Sequence, residues 1–364
     1  MTAAPTVSVV TATYNGAAWL SATLDSLTAQ TFTDWEAIVV DDCSTDGTRD
    51  LVANWPDPRV QLLALDRNVG AVGARNIGVA AARGHYIAGL DQDDLCRPDR
   101  LLRQLAYLDA HPACALVGTA VEWLRDGVVR PSTYPVTTTP GLLAWLLRIE
   151  NPLAWSSIML RADVARRLDP FTRNDLLYAE DFDLYHRMGA LGEIARLDQP
   201  LLLYRQHDAG ASRRFIEAMR ASAGRVLADC HRATLGEGAE DAAALLVLHN
   251  MGGISVPDRA TYAALGKLLG ELQARFLAET APDATTRRLI RWETARRWGR
   301  IGRAGLRAGT LTLADVLAVR PPHLGLGYAG MEALAASRLL GGTRAARQTL
   351  AAKIIRPAPS RANT

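Results

Sequence analysis

The sequence has few cysteines, few aromatic residues and no long apolar run. Four cysteines occur among 364 residues, and aromatic residues make up 6% of the chain. Cys43, Cys96, Cys114 and Cys230 show neither C-x-x-C spacing nor a regular framework, which argues against a disulfide scaffold and against structural zinc. A chain of this length can bury an ample core without disulfides or structural zinc. We therefore expect a protein of the reducing cytoplasm.

Membrane-spanning and secretion segments are also missing from the pattern. The longest apolar region, around residues 324–340, is interrupted by glycines and by Glu332 and Arg338, so it falls short of the roughly 18 uninterrupted apolar residues of a span. Residues 1–5 lack the charged start and apolar core of a signal peptide. We expect a chain that does not cross a bilayer.

Charge is divided unevenly along the chain. Residues 1–210 carry 18 Lys and Arg against 26 Asp and Glu, whereas residues 211–364 carry 23 against 12. The acidic half is typical of a catalytic domain with carboxylate chemistry. The basic half indicates a surface that faces something anionic, either membrane lipid or a charged substrate. Nucleic acid is not expected, since no nucleic-acid-binding motif is present.

Short β-branched runs alternate with amphipathic stretches from Val7 to about Gly118. Strands are predicted at VSVVTAT, WEAIVVDD, residues 60–65 and HYIAGLD, and helices from Ala17, over residues 71–82 and from Pro98. This order predicts an α/β fold with a mostly parallel sheet flanked by helices. Ligands of such sheets bind at the carboxyl ends of the strands, which is where the polar clusters fall.

Two domains are predicted. Residues 1–212 form the α/β domain, with 1–118 as the half that holds a nucleotide and 119–212 as the half that holds a second substrate. Residues 213–364 are rich in Ala, Leu and Arg at helical spacing and predict a basic helical module.

The strongest local signal is the run Asp91-Gln92-Asp93-Asp94 directly after an apolar strand. Carboxylates this close raise one another's pKa unless a cation neutralises them, and oxygen ligands at a strand end suit Mg²⁺ or Mn²⁺ bridging phosphates. The alternative is a solvated turn in which Asp94 or Asp99 caps the next helix.

A second acidic cluster, Asp41-Asp42-Cys43-Ser44-Thr45-Asp46-Gly47, also follows an apolar strand. A carboxylate there can accept a hydrogen bond from a base N–H or a ribose hydroxyl. The cluster can equally serve as a helix cap and turn.

The segment Gly70-Ala71-Val72-Gly73-Ala74-Arg75 begins the third crossover helix. A dinucleotide-binding motif would begin the first, so this position argues against a dinucleotide site. Its small residues allow close helix packing. Arg75 at the helix start can meet a phosphate or a carboxylate of the cluster, or form a structural ion pair.

Paired carboxylates recur at Glu180 and Asp181, where a helix is predicted to begin. The helix dipole alone favours acidic residues at this position. One of them in a partly dry cleft can also deprotonate an attacking hydroxyl. Further on, His207 beside Arg205 is a candidate metal or diphosphate ligand, although a lone histidine is more often structural.

The ordered set of motifs resembles glycosyltransferase family 2, the inverting enzymes with a GT-A fold. The resemblance covers residues 5–212 and is carried by VSVVTATYNG, VVDDCSTDGT, GAVGARNIGVA, LDQDDLCRPDRL, AEDFDLYHRM and YRQH. It implies a nucleotide-sugar donor, commonly a UDP-sugar, a divalent Mn²⁺ or Mg²⁺, and a saccharide or lipid-linked acceptor in cell-surface glycan synthesis.

The resemblance also implies roles for individual residues. On the donor side, Thr13 and Tyr14 would line the nucleotide pocket, Asp42 would read the uracil edge, and Arg75 would lie near the donor. The metal would be held by Asp93, with Asp91 near the ribose or metal and His207 completing the site. Asp181 would be the catalytic base, with Glu180 on the acceptor side.

A basic run over residues 287–307 interleaves eight arginines with Trp292, Trp298 and apolar residues. Such a helix suits the surface of an anionic membrane. The alternative is a helical bundle whose tryptophans are core and whose arginines are solvated or paired.

Three functions are compatible with these patterns. A glycosyltransferase explains all of the motifs together. A catalytically inactive sugar-nucleotide-binding or scaffold protein of the same fold would not need Asp42, Asp91, Asp93 and Asp181 at once. A nucleotidyltransferase or dehydrogenase would favour a glycine-rich loop straight after the first strand, and Thr13-Tyr14-Asn15-Gly16 is not that loop.

Overall fold

The computed structural model describes residues 4–132, 134–208, 210, 214–319, 337–339 and 341. The chain divides into two compact units, Met1–Glu240 and Asp241–Thr364. The boundary expected from the sequence, at residue 212, precedes helix Ile216–Leu235, which the structure groups with the first unit.

One mixed sheet organises the first unit. Its strands, in chain order, are β1 Val7–Thr13, β2 Trp35–Asp41, β3 Val60–Ala64, β4 Tyr86–Gly89, β5 Leu95–Cys96, β6 Cys114–Arg125, β7 Val128–Pro131, β8 Met159–Arg161 and β9 Glu193–Arg205. Among the described residues the spatial order is β3-β2-β1-β4-β8-β6-β9-β5, with β7 pairing with β6. Strands β1 to β4 are mutually parallel, whereas β8 runs antiparallel to both β4 and β6.

Helices cover the sheet. Those of the first unit are α1 Ala17–Thr28, α2 Thr48–Ala53, α3 Gly70–Ala81, α4 Arg100–Ala110, α5 Pro140–Leu147, α6 Ala162–Ala165, α7 Glu180–Gly189 and α8 Ile216–Leu235, with a 3-10 turn at Trp155–Ser157. The predicted α/β class and the first four strands are therefore confirmed.

The packing of residues 1–118, here called the donor half after the role expected for it, follows from the apolar periodicity. In α1 the side chains of Leu20, Leu24 and Leu27 are fully buried, as their spacing on one helix face predicts. Helix α3 approaches the sheet so closely that a Cβ at Gly78 would lie 2.6 Å from Cγ1 of Val10. The small residues of α3 therefore set the distance between helix and sheet.

The second half of the sheet differs more from the sequence-based expectation. Strands β6 and β7 form a hairpin that turns at Asp126 and Gly127, and both residues have positive φ angles, of 50° and 75°. Strand β9 was not predicted, because its apolar and polar residues do not alternate cleanly. It pairs in parallel with β6 through three register irregularities and delivers Arg205 and His207 to the carboxyl edge.

The second unit is helical, as predicted. After α9 (Ala239–Leu245) and a π-helical turn at Leu246–Met251 come α10 Arg259–Thr280, α11 Ala284–Ala308 and α12 Leu313–Ala318. The rings of Tyr262 and Trp298 stack at 3.9 Å between α10 and α11. Among the helices that the structure describes, none is long and apolar enough to cross a membrane.

Candidate active site

The polar clusters of the donor half meet at one edge of the sheet. Strands β1, β2 and β4 are parallel neighbours, so the loops that follow them leave the sheet side by side. The backbone N–H of Asp42 donates to the carbonyl of Thr13 at 2.8 Å, and that of Leu90 donates to the carbonyl of Val10 at 3.1 Å. These backbone bonds bring the loop after β2 and the Asp91–Asp94 run beside Thr13 and Tyr14.

Gln92 ties the first loop to the acidic run. Its Oε1 accepts hydrogen bonds from the Thr13 hydroxyl at 2.7 Å and from the Tyr14 N–H at 3.0 Å. Its backbone carbonyl accepts from the Thr23 hydroxyl at 2.8 Å. The sequence alone presents Gln92 as a spacer between aspartates, and only its contacts in the fold show this role.

Asp42 is buried and anchors the start of α3. Its Oδ1 and Oδ2 accept from the backbone N–H groups of Val69 at 2.7 Å and Gly70 at 2.9 Å. A nucleotide base would have to share these oxygens, so the predicted contact between Asp42 and uracil stays a prediction. Nearby, Asp46 accepts from the Thr48 N–H at 3.0 Å, which is the capping role considered for this cluster.

Arg75 joins the acidic run to the start of α7. Its guanidinium forms an ion pair with Glu180 and lies 3.6 Å from Oδ1 of Asp91. It also stacks over the Trp155 ring, with its central carbon 4.3 Å from the ring centroid. Arg75 and Glu180 are each only 6% exposed. Of the roles weighed for Arg75, the structure places it against carboxylates, one of which belongs to the cluster.

Asp93 and His207 come together although 113 residues separate them in the sequence. His207 Nε2 lies 2.7 Å from Asp93 Oδ2. Arg205 braces this pair, since its Nε donates to the Asp93 backbone carbonyl at 2.7 Å and its guanidinium stacks 4.9 Å from the Trp19 ring. The Trp19 and His207 rings are also 4.9 Å apart.

Asp94 is a buried support rather than a helix cap. Its Oδ1 accepts from the Arg205 N–H at 2.8 Å, which ties the end of β9 to the acidic run. Burial, followed by the charges of Asp93 and Asp91, raises the pKa of Asp94 well above its usual value. Asp99, the alternative cap, occupies the N-cap position of α4 without a side-chain cap bond.

Asp181 lies in the first turn of α7, beside Glu180. Its Oδ1 accepts from the Phe182 N–H at 2.7 Å and from the Asn151 side-chain amide at 3.2 Å. Burial, and after it the charge of Glu180, raises the pKa of Asp181 to about 7. An aspartate with this pKa can accept a proton near neutral pH. Asn151 was not singled out in the sequence.

The arrangement of the acidic and histidine side chains decides how well these residues fit a divalent cation. Within the described ranges, no group of three His, Cys, Asp or Glu side chains is arranged to hold a metal ion. Asp93 and His207 do converge, whereas Asp91 turns toward Arg75. The burial of Asp91 raises its pKa, and the nearby Arg75 only partly counters this. A hard-oxygen carboxylate and an imidazole suit a cation that takes its other ligands from diphosphate and water.

Known proteins resemble this chain in sequence. The model for glycosyl transferase family 2 matches residues 8–166. The succinoglycan biosynthesis protein ExoO of Rhizobium meliloti (strain 1021) is 54% identical over 106 residues, which cover 29% of this chain and 30% of ExoO. The putative glycosyltransferase EpsE of Bacillus subtilis (strain 168) is 33% identical over 197 residues, which cover 51% of this chain and 68% of EpsE.

The fold is also similar to a solved structure. The crystal structure of S. aureus TarS 1–349 in complex with UDP-GlcNAc matches with a TM-score of 0.55 at 18% identity, covering 94% of this chain and 92% of that chain. At this identity the likeness concerns the fold alone. The ordered motifs at one sheet edge and the match to EpsE together identify the protein as a member of glycosyltransferase family 2.

Proposed function

We propose that this protein is an inverting glycosyltransferase of cell-surface glycan synthesis. It transfers a sugar from a nucleoside-diphosphate sugar, most simply a UDP-sugar, to a hydroxyl of a saccharide or lipid-linked acceptor. Support for the donor comes from TarS, which was crystallised with UDP-GlcNAc, and support for the process from ExoO, a protein of succinoglycan biosynthesis.

The observation that carries the proposal is the position of Arg75 between two acidic groups. It contacts Asp91, which follows β4 at the nucleotide side, and Glu180, which begins α7 next to Asp181. A single buried cation thereby fixes the distance between the donor side and the base. A transferase needs this coupling, because the acceptor hydroxyl must attack the sugar carbon in line with the departing diphosphate.

In the proposed reaction Asp181 is the general base. Its carboxylate takes the proton of the acceptor hydroxyl while the acceptor oxygen forms a bond to the anomeric carbon. The bond from that carbon to the diphosphate oxygen breaks, and its electron pair leaves with the diphosphate. The bonds from Asn151 and from the Phe182 N–H hold the Asp181 carboxylate in one orientation.

Asp93 and His207 are the protein residues that would hold Mn²⁺ or Mg²⁺, with Asp91 near the ribose or metal. When bound, such an ion would neutralise charge on the diphosphate. Arg205 and Asp94 position this pair through their bonds at the end of β9. Thr13 and Tyr14, held by Gln92, form the proposed wall of the nucleotide pocket, and Asp42 its base-reading end.

The experiment is a screen of nucleotide sugars by thermal shift with and without Mn²⁺, followed by UDP release from the stabilising donor. Ligands that bind the folded state raise its apparent stability. Metal-dependent stabilisation by UDP-sugars with release of UDP supports the proposal. Stabilisation with no release, with or without acceptor extracts, would favour the inactive sugar-nucleotide-binding protein. No stabilisation by any nucleotide sugar would refute both.

A further inference from the structure

The arginines of α11 fall into two sets with different surroundings. In the second half of the helix, Arg296 and Arg297 both pair with the buried Glu293, and Arg297 is only 2% exposed. Arg300 donates to the backbone carbonyl of Asn250 at 2.5 Å. These three arginines are part of the packing of the unit. The basic run therefore does not form one continuous exposed surface, and the membrane contact expected for residues 287–307 stays a prediction.

The first half of α11 is different. Arg287, Arg288, Arg291 and Trp292 are all exposed, and Trp292 is 47% exposed. Residues three and four apart are neighbours on a helix, so these four side chains share one face, which we call the Arg-Trp face. On the opposite side of the same turns Thr286, Ile290 and Glu293 are buried.

The exposure of this face is not a consequence of a loose helix end. Asp283 caps α11, accepting from the N–H groups of Thr285 at 2.8 Å and Thr286 at 3.0 Å. The Thr286 hydroxyl also donates to Asp283 at 2.7 Å. A helix start held by three hydrogen bonds presents the Arg-Trp face in a fixed arrangement.

In the described ranges no acidic side chain pairs with the arginines of the face. Between residues 281 and 319 the only acids are Asp283, Glu293 and Asp315. Asp283 caps α11, Glu293 pairs with Arg296 and Arg297, and Asp315 accepts from the N–H of the N-cap residue Thr312 at 2.8 Å in the capping box of α12. Within the described part of the chain, Arg288 and Arg291 have no carboxylate within 4.0 Å. The positive charge of the face is left for a partner.

We propose that the Arg-Trp face docks the protein onto the surface of an anionic phospholipid bilayer. Guanidinium groups bind phosphate through paired hydrogen bonds, and the amphipathic indole of tryptophan prefers the interface between headgroups and water. A convex helix face with three arginines around one exposed tryptophan matches a flat anionic surface in both charge and polarity. The contact is peripheral and does not depend on the proposed catalytic function.

The test is co-sedimentation of the full chain, without nucleotide, on vesicles of equal parts phosphatidylcholine and phosphatidylglycerol. Each basic residue near such a surface strengthens binding about fivefold, so the variant R287Q/R288Q/R291Q should bind roughly a hundredfold more weakly at low salt. W292A should lower binding several-fold. Salt at 0.5 M, whose screening length is roughly 4 Å, should release the wild-type chain.

The matched control is R259Q/K267Q/R275Q on α10. These three side chains are also exposed but are paired with Asp315, Glu271 and Glu279. The control should bind as the wild type does, and R287K/R288K/R291K, which keeps the charge, should retain most binding. Circular dichroism verifies that each variant is folded.

Three results would overturn the proposal. The wild type could fail to sediment with anionic vesicles at low salt, or sediment equally with pure phosphatidylcholine. The third such result is equal binding of R287Q/R288Q/R291Q and of the α10 control to the anionic vesicles. Because donor binding and UDP release are measured separately, a failure here leaves the glycosyltransferase proposal standing, and the reverse also holds.

Discussion

His207 Nε2 lies 2.7 Å from Asp93 Oδ2, and this contact joins the end of β9 to the loop after β4. Four further contacts hold the pair. Arg205 bonds to the Asp93 carbonyl, Asp94 bonds to the Arg205 N–H, and Trp19 packs on both the His207 ring and the Arg205 guanidinium. These contacts hold Asp93 and His207 in one arrangement, as the proposed metal site would require.

Asp93→Ala should abolish the dependence of UDP binding on Mn²⁺. The substitution removes the hard oxygen ligand while leaving the nucleotide wall at Thr13 and Tyr14 intact. His207→Ala should have a smaller effect and weaken the Mn²⁺-dependent binding of UDP by about tenfold, because a water molecule can replace one ligand. Isothermal calorimetry with UDP, with and without Mn²⁺, measures both, with Asp126→Asn in the distant hairpin turn as control. Unchanged UDP affinity in Asp93→Ala would refute the metal role.

Asp181→Asn should spare donor binding and lower transfer by about a hundredfold to ten-thousandfold, the usual contribution of a general base. Asparagine keeps the shape and the bond from the Phe182 N–H but cannot take a proton. The measurement is UDP affinity by calorimetry together with acceptor-dependent UDP release. Turnover at the wild-type level would show that another group accepts the proton.

The rate of the wild-type enzyme should rise with pH through about 7. A base works only when deprotonated, and the pKa of Asp181 is raised to about 7 by burial and by the charge of Glu180. Below that pH the protonated fraction grows and kcat/KM falls about tenfold per pH unit, whereas an ordinary aspartate would keep its activity down to about pH 4. Glu180→Gln removes the neighbouring negative charge, so it should move the acid limb to lower pH. A profile flat from pH 5 to 8 would contradict the assignment.

Arg75→Met should destabilise the first unit and also remove activity. The substitution leaves Glu180, which is 6% exposed, without its counter-charge, and breaking a buried ion pair from one side costs about 3–5 kcal/mol. The double variant Arg75→Met/Glu180→Gln should recover only part of that loss, since the buried Glu180 charge is then gone while Asp91 still lacks its cation. Urea unfolding followed by circular dichroism measures the free energy. Equal destabilisation in the single and double variants would refute the pairing argument.

Gly16→Ala should weaken UDP binding by about tenfold, which is about 1.4 kcal/mol. A Cβ at Gly16 would clash with Oε1 of Gln92 and with Oγ1 of Thr13, the two atoms that join the first loop to the acidic run. Gly47→Ala, at the N-cap of the adjacent helix α2, is the matched control because a Cβ there meets nothing within 4 Å. Equal UDP affinities for the two variants, measured by calorimetry, would show that the Thr13–Gln92 bond does not shape the pocket.

The donor half could be predicted well because its signals are local. Apolar strands followed by helices with one buried face predicted β1 to β4 and the helices α1, α3 and α4 within a few residues. Strand β9 was missed, since its pairing partner β6 lies about 80 residues earlier and its pattern is broken by Gln199 and Pro200. The short β5 was missed because two residues carry no period.

The candidate residues could be named from the sequence, but their partners could not. The sequence left both a structural and a functional role open for each of the candidates Asp91, Asp93, Arg75, Glu180 and Asp181. The structure showed that Arg75 contacts carboxylates from two of these motifs, and that Asp46 serves as a cap. Gln92 and Asn151 escaped notice because a neutral amide has no sequence signature until its neighbours in space are known.

The sequence by itself determined the fold class, the family and the list of acidic residues, because all three are encoded in local periodicity and in short ordered motifs. Only the tertiary structure decided which charges compensate one another: Arg75 with Glu180, His207 with Asp93, Glu293 with Arg296 and Arg297, and none for Arg288 and Arg291 within the described residues. The physical reason is that electrostatic energy depends on distance and burial, and side chains far apart in sequence acquire both only when the chain folds.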